Sequence, residues 1–182
     1  MDKYKVRQVL TEQRARMTYK KRLEKSERIM EQLIPLLKGK KNIAFYINLN
    51  DEVITLDFLP YFLENYETIS ASVTEDEIEF YSFTNVKQLK EGYVGILEPP
   101  AVNKVEKDDI EVIIVPMLGY DKYCNRMGMG KGYYDRYLAD FKGEIIGLAF
   151  TEQNYILIPI EPHDVRMDKV ITERGILSKP NF

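Results

Sequence analysis

The chain has 182 residues, 45% of them hydrophobic and 30% charged, the makeup of one globular domain long enough to bury a real core. Its longest apolar runs, such as Val112–Val115, fall far short of the ~18 residues of a membrane span, its charged N-terminus lacks a signal-peptide core, and its one cysteine excludes an internal disulfide. A reducing, cytoplasmic setting is the natural expectation. The net charge of −3 is unevenly distributed: residues 1–41 hold 13 Lys/Arg against 5 Asp/Glu, and the remainder holds 13 against 24. A basic segment of this kind suits nucleic acid, a phospholipid surface or a polyanionic small molecule, and equally a solvated helix face. Nucleic acid is the weaker option, because no stacking platform or binding module accompanies the charge.

Asp2 is placed to cap a first helix whose apolar side carries Val6, Val9, Leu10 and Met17. A second helix, from about Leu23 to Leu37, has Ile29, Met30, Leu33, Ile34 and Leu37 at helical spacing and Gly39 as its stop. Asn42–Ile47 reads as the first strand. Leu56–Leu63 reads as a helix with Pro60 in its first turn or at a kink. Ile69–Val73 and Ile78–Phe83 read as strands, the second at an edge, and Val86–Leu89 as a short helical turn. Strands near Val112 and Ile145 flank a glycine-rich turn and its helix, and Val170–Thr172 reads as a last short strand. Strands separated by helices predict an α/β fold: an open, largely parallel sheet flanked by helices, three-layer α/β/α. The domain expectation is one unit over 1–182, with basic helices 2–38 packed on the α/β core.

The most informative segment is Arg126-Met127-Gly128-Met129-Gly130-Lys131-Gly132-Tyr133-Tyr134-Asp135. Three alternate glycines leave backbone N–H groups without Cβ cover, and two cations stand beside them, so the segment reads as an anion cradle opening a helix. A mobile loop is the bland alternative. The P-loop frame is absent, since no Ser or Thr follows Lys131, and the third glycine comes one residue too early for the dinucleotide fingerprint. The preceding run Glu111–Pro116 is of buried-strand type, and the connection Met117–Asn125 shows no periodicity. In open α/β sheets ligands bind beyond the carboxyl ends of the strands, where this loop falls. Asp135 suits either a magnesium ion held with phosphate oxygens or a helix N-terminal charge. Lys3 and Arg7 lie one helical turn apart, as a phosphate clamp or a solvated face. Glu52 follows the first strand in a crevice position. Tyr133 suits either a border to a flat ligand or the core. His163, the only histidine, is adjacent to Asp164, and Cys124 has no histidine near it in sequence to activate it.

The run from Pro116 to Leu138, PMLGYDKYCNRMGMGKGYYDRYL, resembles the signature of the 5-formyltetrahydrofolate cyclo-ligase family, also called methenyltetrahydrofolate synthetases. The matching features are the proline, Asp121, the glycine-rich core with its Tyr-Tyr-Asp, and the trailing leucine. Similar too are Lys3-x-x-x-Arg7, Asp51-Glu52, YVGILEP at Tyr93–Pro99, LAFTEQ at Leu148–Gln153 and PHDVRMDKVIT at Pro162–Thr172. Cys124 stands where the family usually has glycine, Ile47 replaces a more usual leucine, and the segment from Tyr66 to Phe83 diverges.

The resemblance implies ATP- and magnesium-dependent closure of 5-formyltetrahydrofolate to 5,10-methenyltetrahydrofolate through a phosphorylated formyl group. It implies Lys131, Arg126 and Tyr133 as catalytic residues. It implies ATP contacts from Lys3, Tyr4, Lys5, Val6 and Arg7 and from the run Arg126, Met127, Gly128, Met129, Gly130, Lys131, Gly132, Tyr133 and Tyr134. The folate side would involve Ile47, Glu52 and the loop from Met129 to Tyr133, with magnesium on Asp135 and Asp164. Small-molecule partners and a monomer are expected, without nucleic acid or membrane. A non-catalytic nucleotide or folate binder, or an RNA-binding accessory protein, is the competing class.

Overall fold

A computed structural model describes residues 2–181; Met1 and Phe182, the ends of the expected domain, lie outside the described residues. Helix α1 spans Lys3–Ala15 and α2 spans Tyr19–Leu36. Asp2 caps α1 by accepting the Lys5 N–H, and Thr18 caps α2 through the Lys21 N–H. Strand β1 (Asn42–Phe45) follows, then a 3₁₀ turn at Leu56–Phe58 that runs into α3 (Leu59–Asn65), with Pro60 in the first turn. Next come β2 (Glu67–Val73), β3 (Ile78–Ser82), the two-residue strands β4 (Lys90–Glu91) and β5 (Leu97–Glu98), and β6 (Val112–Val115). A small hairpin, β7 (Gly119–Tyr120) and β8 (Arg126–Met127), precedes α4 (Tyr133–Leu138), β9 (Glu144–Leu148), β10 (Lys169–Thr172) and β11 (Gly175–Ser178).

The main sheet has the order β11-β10-β9-β6-β1-β2-β3, with five central parallel strands and an antiparallel strand at each edge. Alternation of side chains divides the core. Ile43, Phe45, Val112, Ile114 and Leu148 pack against Ile29, Met30 and Leu33 of α2 on one face. Ala44, Ile113, Val115, Ile145 and Val170 pack with Leu138 of α4 on the other. Full burial of a residue such as Leu33 contributes about 1.5–3 kcal/mol. The result is the α/β/α sandwich the pattern predicts.

The structure departs from the sequence reading in several places. Val9 is exposed, and the inward stripe of α1 is Val6, Leu10 and Arg14, a charged residue at the apolar spacing. Met17 lies beyond the end of α1, against the α2 core. The stretch Met117–Asn125 carries the β7–β8 hairpin, whose strands are too short to show a period. Strand β11 follows the expected last strand and pairs antiparallel with it. Helix α4 has only six residues, so backbone N–H groups and cations, not a long dipole, must supply any anion cradle.

Candidate active site

From β1 the chain steps to β2 on one side, whereas β6 lies on the other. The loops after β1 and β6 therefore part at the carboxyl ends of these strands, the switch point where open sheets form crevices. A cavity of about 460 Å³ opens there. Its lining is partly apolar, with Ile47, Val73, Ile78, Ile96 and Met117, and partly charged, with Lys3, Arg7, Lys131, Asp135 and Asp164.

From the glycine loop, Gly128, Met129, Gly130, Lys131, Gly132 and Tyr133 all line the cavity. Gly130 has φ +110°, outside what a side-chain-bearing residue readily adopts, and Gly132 has φ +70° at the start of α4. Gly128 is needed for a different reason: a Cβ there would lie 2.9 Å from the Arg126 guanidinium. That guanidinium is buried under the loop and donates to Pro116 O at 2.9 Å, with Asp135 at 3.5 Å and the Tyr134 ring beneath it. Burial lowers its affinity for a proton and Asp135 works against that. Lys131, in contrast, is exposed at the rim, and no carboxylate engages its ammonium among the described residues.

Helix α1 reaches into the site with both predicted cations. Arg7 Nε donates to Gly128 O at 3.0 Å, and Lys3 Nζ lies 2.6 Å from Glu161 and 2.6 Å from Asp164. They are therefore not a solvated face. Of the residues between them, Tyr4 and Lys5 are exposed and Val6 is buried among Leu10, Leu118, Met127 and Ile158; none of the three lines the cavity.

Asp135 lies in the first turn of α4 and accepts the Val165 N–H at 3.1 Å, which fastens the loop carrying Asp164 beside it. Both carboxylates border the same cavity. Partial burial works against charge on Asp164, but the Lys3 hydrogen bond and the Glu161 N–H outweigh it and hold the carboxyl below its ordinary range. Glu161, His163 and Asp164 place their ligand atoms within 4.8 Å of one another; Asp135 is not in that cluster.

Glu52 is buried at the base of the cavity and accepts the Leu49 N–H at 2.8 Å. Burial pushes its carboxyl upward, against that hydrogen bond and the Arg14 charge. Tyr134 is driven above the ordinary tyrosine range, first by burial and then by the nearby Glu52. Tyr133 points its hydroxyl away, donating to Thr74 O and Glu75 O at 2.8 and 2.9 Å, so its ring ties α4 to the β2–β3 turn while bordering the cavity.

Sequence reasoning missed Arg14. It is buried, donates to Met117 O at 3.1 Å and pairs with Asp51 at 3.0 Å, joining α1 to the loops after both β1 and β6. The signal was its place four residues after Leu10 on the Val6–Leu10 stripe. Gln153 supports the same loop, donating to Met117 O and Leu118 O. Asp121 gathers the N–H groups of Tyr123, Asn125 and Ile158 and the Asn125 amide. Cys124 beside it has φ +62°, which accounts for glycine being the easier choice there, and burial raises its thiol.

The family model of the 5-formyltetrahydrofolate cyclo-ligase family matches residues 1–173. The mouse 5-formyltetrahydrofolate cyclo-ligase is 30% identical over 158 residues, 75% of each chain, and that of Mycoplasma pneumoniae is 25% identical over 95% of this chain and 99% of its own. Among solved structures, the 5,10-methenyltetrahydrofolate synthetase of Aquifex aeolicus superposes with a TM-score of 0.86 at 29% identity, covering 100% of this chain and 95% of that one. The Mycoplasma pneumoniae synthetase gives 0.77 at 28% identity, over 95% and 99%. A match over nearly the whole chain, with the glycine loop at the switch point of the same fold, places the chain in the 5-formyltetrahydrofolate cyclo-ligase family.

Proposed function

We propose that the protein converts 5-formyltetrahydrofolate to 5,10-methenyltetrahydrofolate at the expense of ATP, with ADP and phosphate released. The observation that carries this reading is the cavity itself, whose single lining combines apolar side chains and the buried Glu52 with a glycine loop flanked by cations. A flat pterin suits the apolar side chains and a triphosphate the loop with its cations.

An N-formyl carbon is a weak electrophile because amide resonance feeds it electrons, and its oxygen is a poor leaving group. In the first step the formyl oxygen attacks the γ-phosphorus of ATP and ADP departs. N10 of the same substrate then attacks the activated carbon, the C–O bond breaks, phosphate leaves and N10 loses its proton. Ring closure is intramolecular, so it needs chiefly a substrate held in the closing geometry. Phosphoryl transfer needs charge spread over fixed donors. On this reading the N–H groups around Gly130 and the Lys131 ammonium face the phosphates. Arg126 acts from below as the support that fixes the loop. Lys3 and Arg7 close the site from α1, while Ile47 and Glu52 hold the folate side.

Magnesium fits the donors present: Asp135 and Asp164 offer hard carboxylate oxygens to the same cavity, where Asp164 already pairs with the Lys3 ammonium. Bound there with phosphate oxygens, magnesium would neutralise charge on the transferring group. Mixing the protein with ATP, magnesium and 5-formyltetrahydrofolate should give growth of methenyl product absorbance near the visible edge, with equimolar ADP. Binding of both ligands without ADP formation would refute the reading in favour of a non-catalytic binder.

A further inference from the structure

Strand β1 ends at Phe45, opposite Ser70 of β2, but β2 continues to Val73. Beyond Ser70 no strand among the described residues pairs with the β1-facing edge of β2. Thr74 N–H donates to Glu77 O toward β3, so by strand alternation the Val73 N–H points the other way, to that open edge. An unpaired buried N–H is costly, and here it is not left unpaired. Glu98, the last residue of the β4–β5 hairpin, accepts it at 2.9 Å through Oε1 and accepts the Ser72 hydroxyl at 3.0 Å through Oε2. One carboxylate thus takes the place of the missing strand. The turn leaves room for it: a Cβ on Gly92 would lie 2.1 Å from Glu98 Cδ, so a side chain there would push the carboxylate off its two donors. The Gly92 N–H donates to Ile96 O at 2.8 Å, completing the turn.

The anchored segment matters because of where it lies. Val94, Ile96, Leu97 and Glu98 itself line the cavity, together with Ala71, Val73 and Ile78 of β2 and β3. Ile96 and Leu97 also pack on the buried group of Ile47, Leu59 and Phe83. Few backbone hydrogen bonds hold the hairpin, and its two strands have two residues each, so side-chain anchoring sets its height above the sheet.

We propose that Glu98 is a positioning residue for the folate-side substrate: with Gly92 it fixes the hairpin so that residues 94–97 form one wall against the flat ring. The inference rests on the activity proposed above. Glu98 acts through the hairpin and not through its charge. A glutamine can keep both bonds, with Oε1 accepting from Val73 and its amide donating to the Ser72 hydroxyl, which both donates and accepts.

The test uses Glu98→Ala, Glu98→Gln and Gly92→Ala in the full chain. Glu98→Ala should raise KM for 5-formyltetrahydrofolate by roughly tenfold or more, the scale for losing hydrogen bonds to a charged group, while KM for ATP changes less than about twofold on the same scale. Glu98→Gln should restore most of the folate affinity. Gly92→Ala should reproduce the defect alone and add little on top of Glu98→Ala, because the steric conflict is with the carboxylate that variant removes. Hydrogen exchange read at Val73 should quicken in Glu98→Ala and stay protected in Glu98→Gln, which tests the anchor whether or not the protein turns over. Unchanged exchange or unchanged folate KM in Glu98→Ala overturns the proposal. A Gln variant as impaired as Ala also overturns it, by making the charge itself the functional element. A wild-type protein without turnover would instead discard the activity, with the exchange result still deciding the anchor.

Discussion

Replacing Gly130 by alanine separates a loop that touches ligand from one that merely passes by it. The residue has φ +110°, so any L side chain there is strained, at a cost on the order of 1–3 kcal/mol. The added Cβ would also approach the Arg7 guanidinium carbon to 3.4 Å, which that flexible side chain can relieve by a small shift. Gly130 is exposed, so no core contact is lost. Against a usual stability of about 5–15 kcal/mol the protein stays folded, and Tm should fall by roughly 2–10 °C for a chain of this size. Turnover should fall much further. A displaced loop N–H removes one preorganised donor from the transferring phosphoryl group, worth about 10²–10³-fold in kcat. Thermal unfolding by circular dichroism and methenyl product absorbance, read on the same sample, give the two numbers. A lowered Tm with wild-type turnover would refute the reasoning, because the strain would then be present without any consequence for ligand.

Lys131→Ala should weaken ATP affinity by roughly one order of magnitude with folate affinity little changed, measured by titration calorimetry for each ligand; equal ATP affinity would remove Lys131 from the phosphate site. Arg126→Ala should show the same selectivity plus a lower Tm of unfolding, since Pro116 O loses its donor and Asp135 its neighbouring cation. Glu52→Gln should weaken 5-formyltetrahydrofolate binding while leaving ATP affinity nearly intact; a change in ATP affinity alone would put Glu52 on the wrong side of the cavity. Because burial raises the Glu52 carboxyl, the folded state holds its proton to higher pH than the unfolded chain, and stability from this group declines as pH rises above its ordinary value of 4.5. Denaturant titrations should therefore show a flatter pH dependence for Glu52→Gln over that interval, and an unaltered slope would contradict the burial argument. Asp135→Asn and Asp164→Asn should each lower turnover, Asp135 by about 10²–10³-fold, with partial rescue by added magnesium; wild-type turnover with an unchanged magnesium requirement in both would place the metal elsewhere.

Long amphipathic elements were legible because their period repeats several times. Ile29, Met30 and Leu33 mark the buried face of α2 without ambiguity, and the continuous run Val112–Val115 marks a strand covered on both faces. Two-residue strands such as β7 and β8 give no period to read, and their geometry is set from outside, by Asp121 gathering N–H groups across the loop. The glycine loop was legible as a site because Gly, Lys and Arg in that order have few other uses. Its interior was less so. Arg126 and Lys131 look alike in sequence as flanking cations, yet one is buried under the loop and the other exposed at its rim. That difference depends on Pro116 O, Asp135 and Tyr134, none of which is adjacent to Arg126 in sequence. Arg14 failed to stand out for a related reason: a charged residue on an apolar stripe looks like a break in the stripe until its partners, Met117 O and Asp51, are known.

The basic segment and the acidic remainder of the chain meet directly in several ion pairs. Lys3 pairs with Glu161 and Asp164, Arg14 with Asp51, and Lys25 with Glu152 and Glu173. Every one of these joins the basic first 41 residues to the acidic remainder. Three cations of the two N-terminal helices are thus paired with acidic groups of the body they cover. The pairing is not spread evenly. Lys25 ties α2 down at the far side through Glu152 and Glu173, where nothing from the cavity is involved. Lys3 is different, because both of its partners border the cavity and Asp164 is a proposed magnesium ligand. A nucleotide arriving with magnesium would compete with its ammonium for the same oxygens. Lys3 would then be freed toward the phosphates from the end of a helix that Arg7 and Arg14 keep fixed. The basic segment thus serves two physical ends with one set of charges: Arg14 and Lys25 hold the helices on the sheet, and Lys3 and Arg7 bring cations to the rim of the cavity.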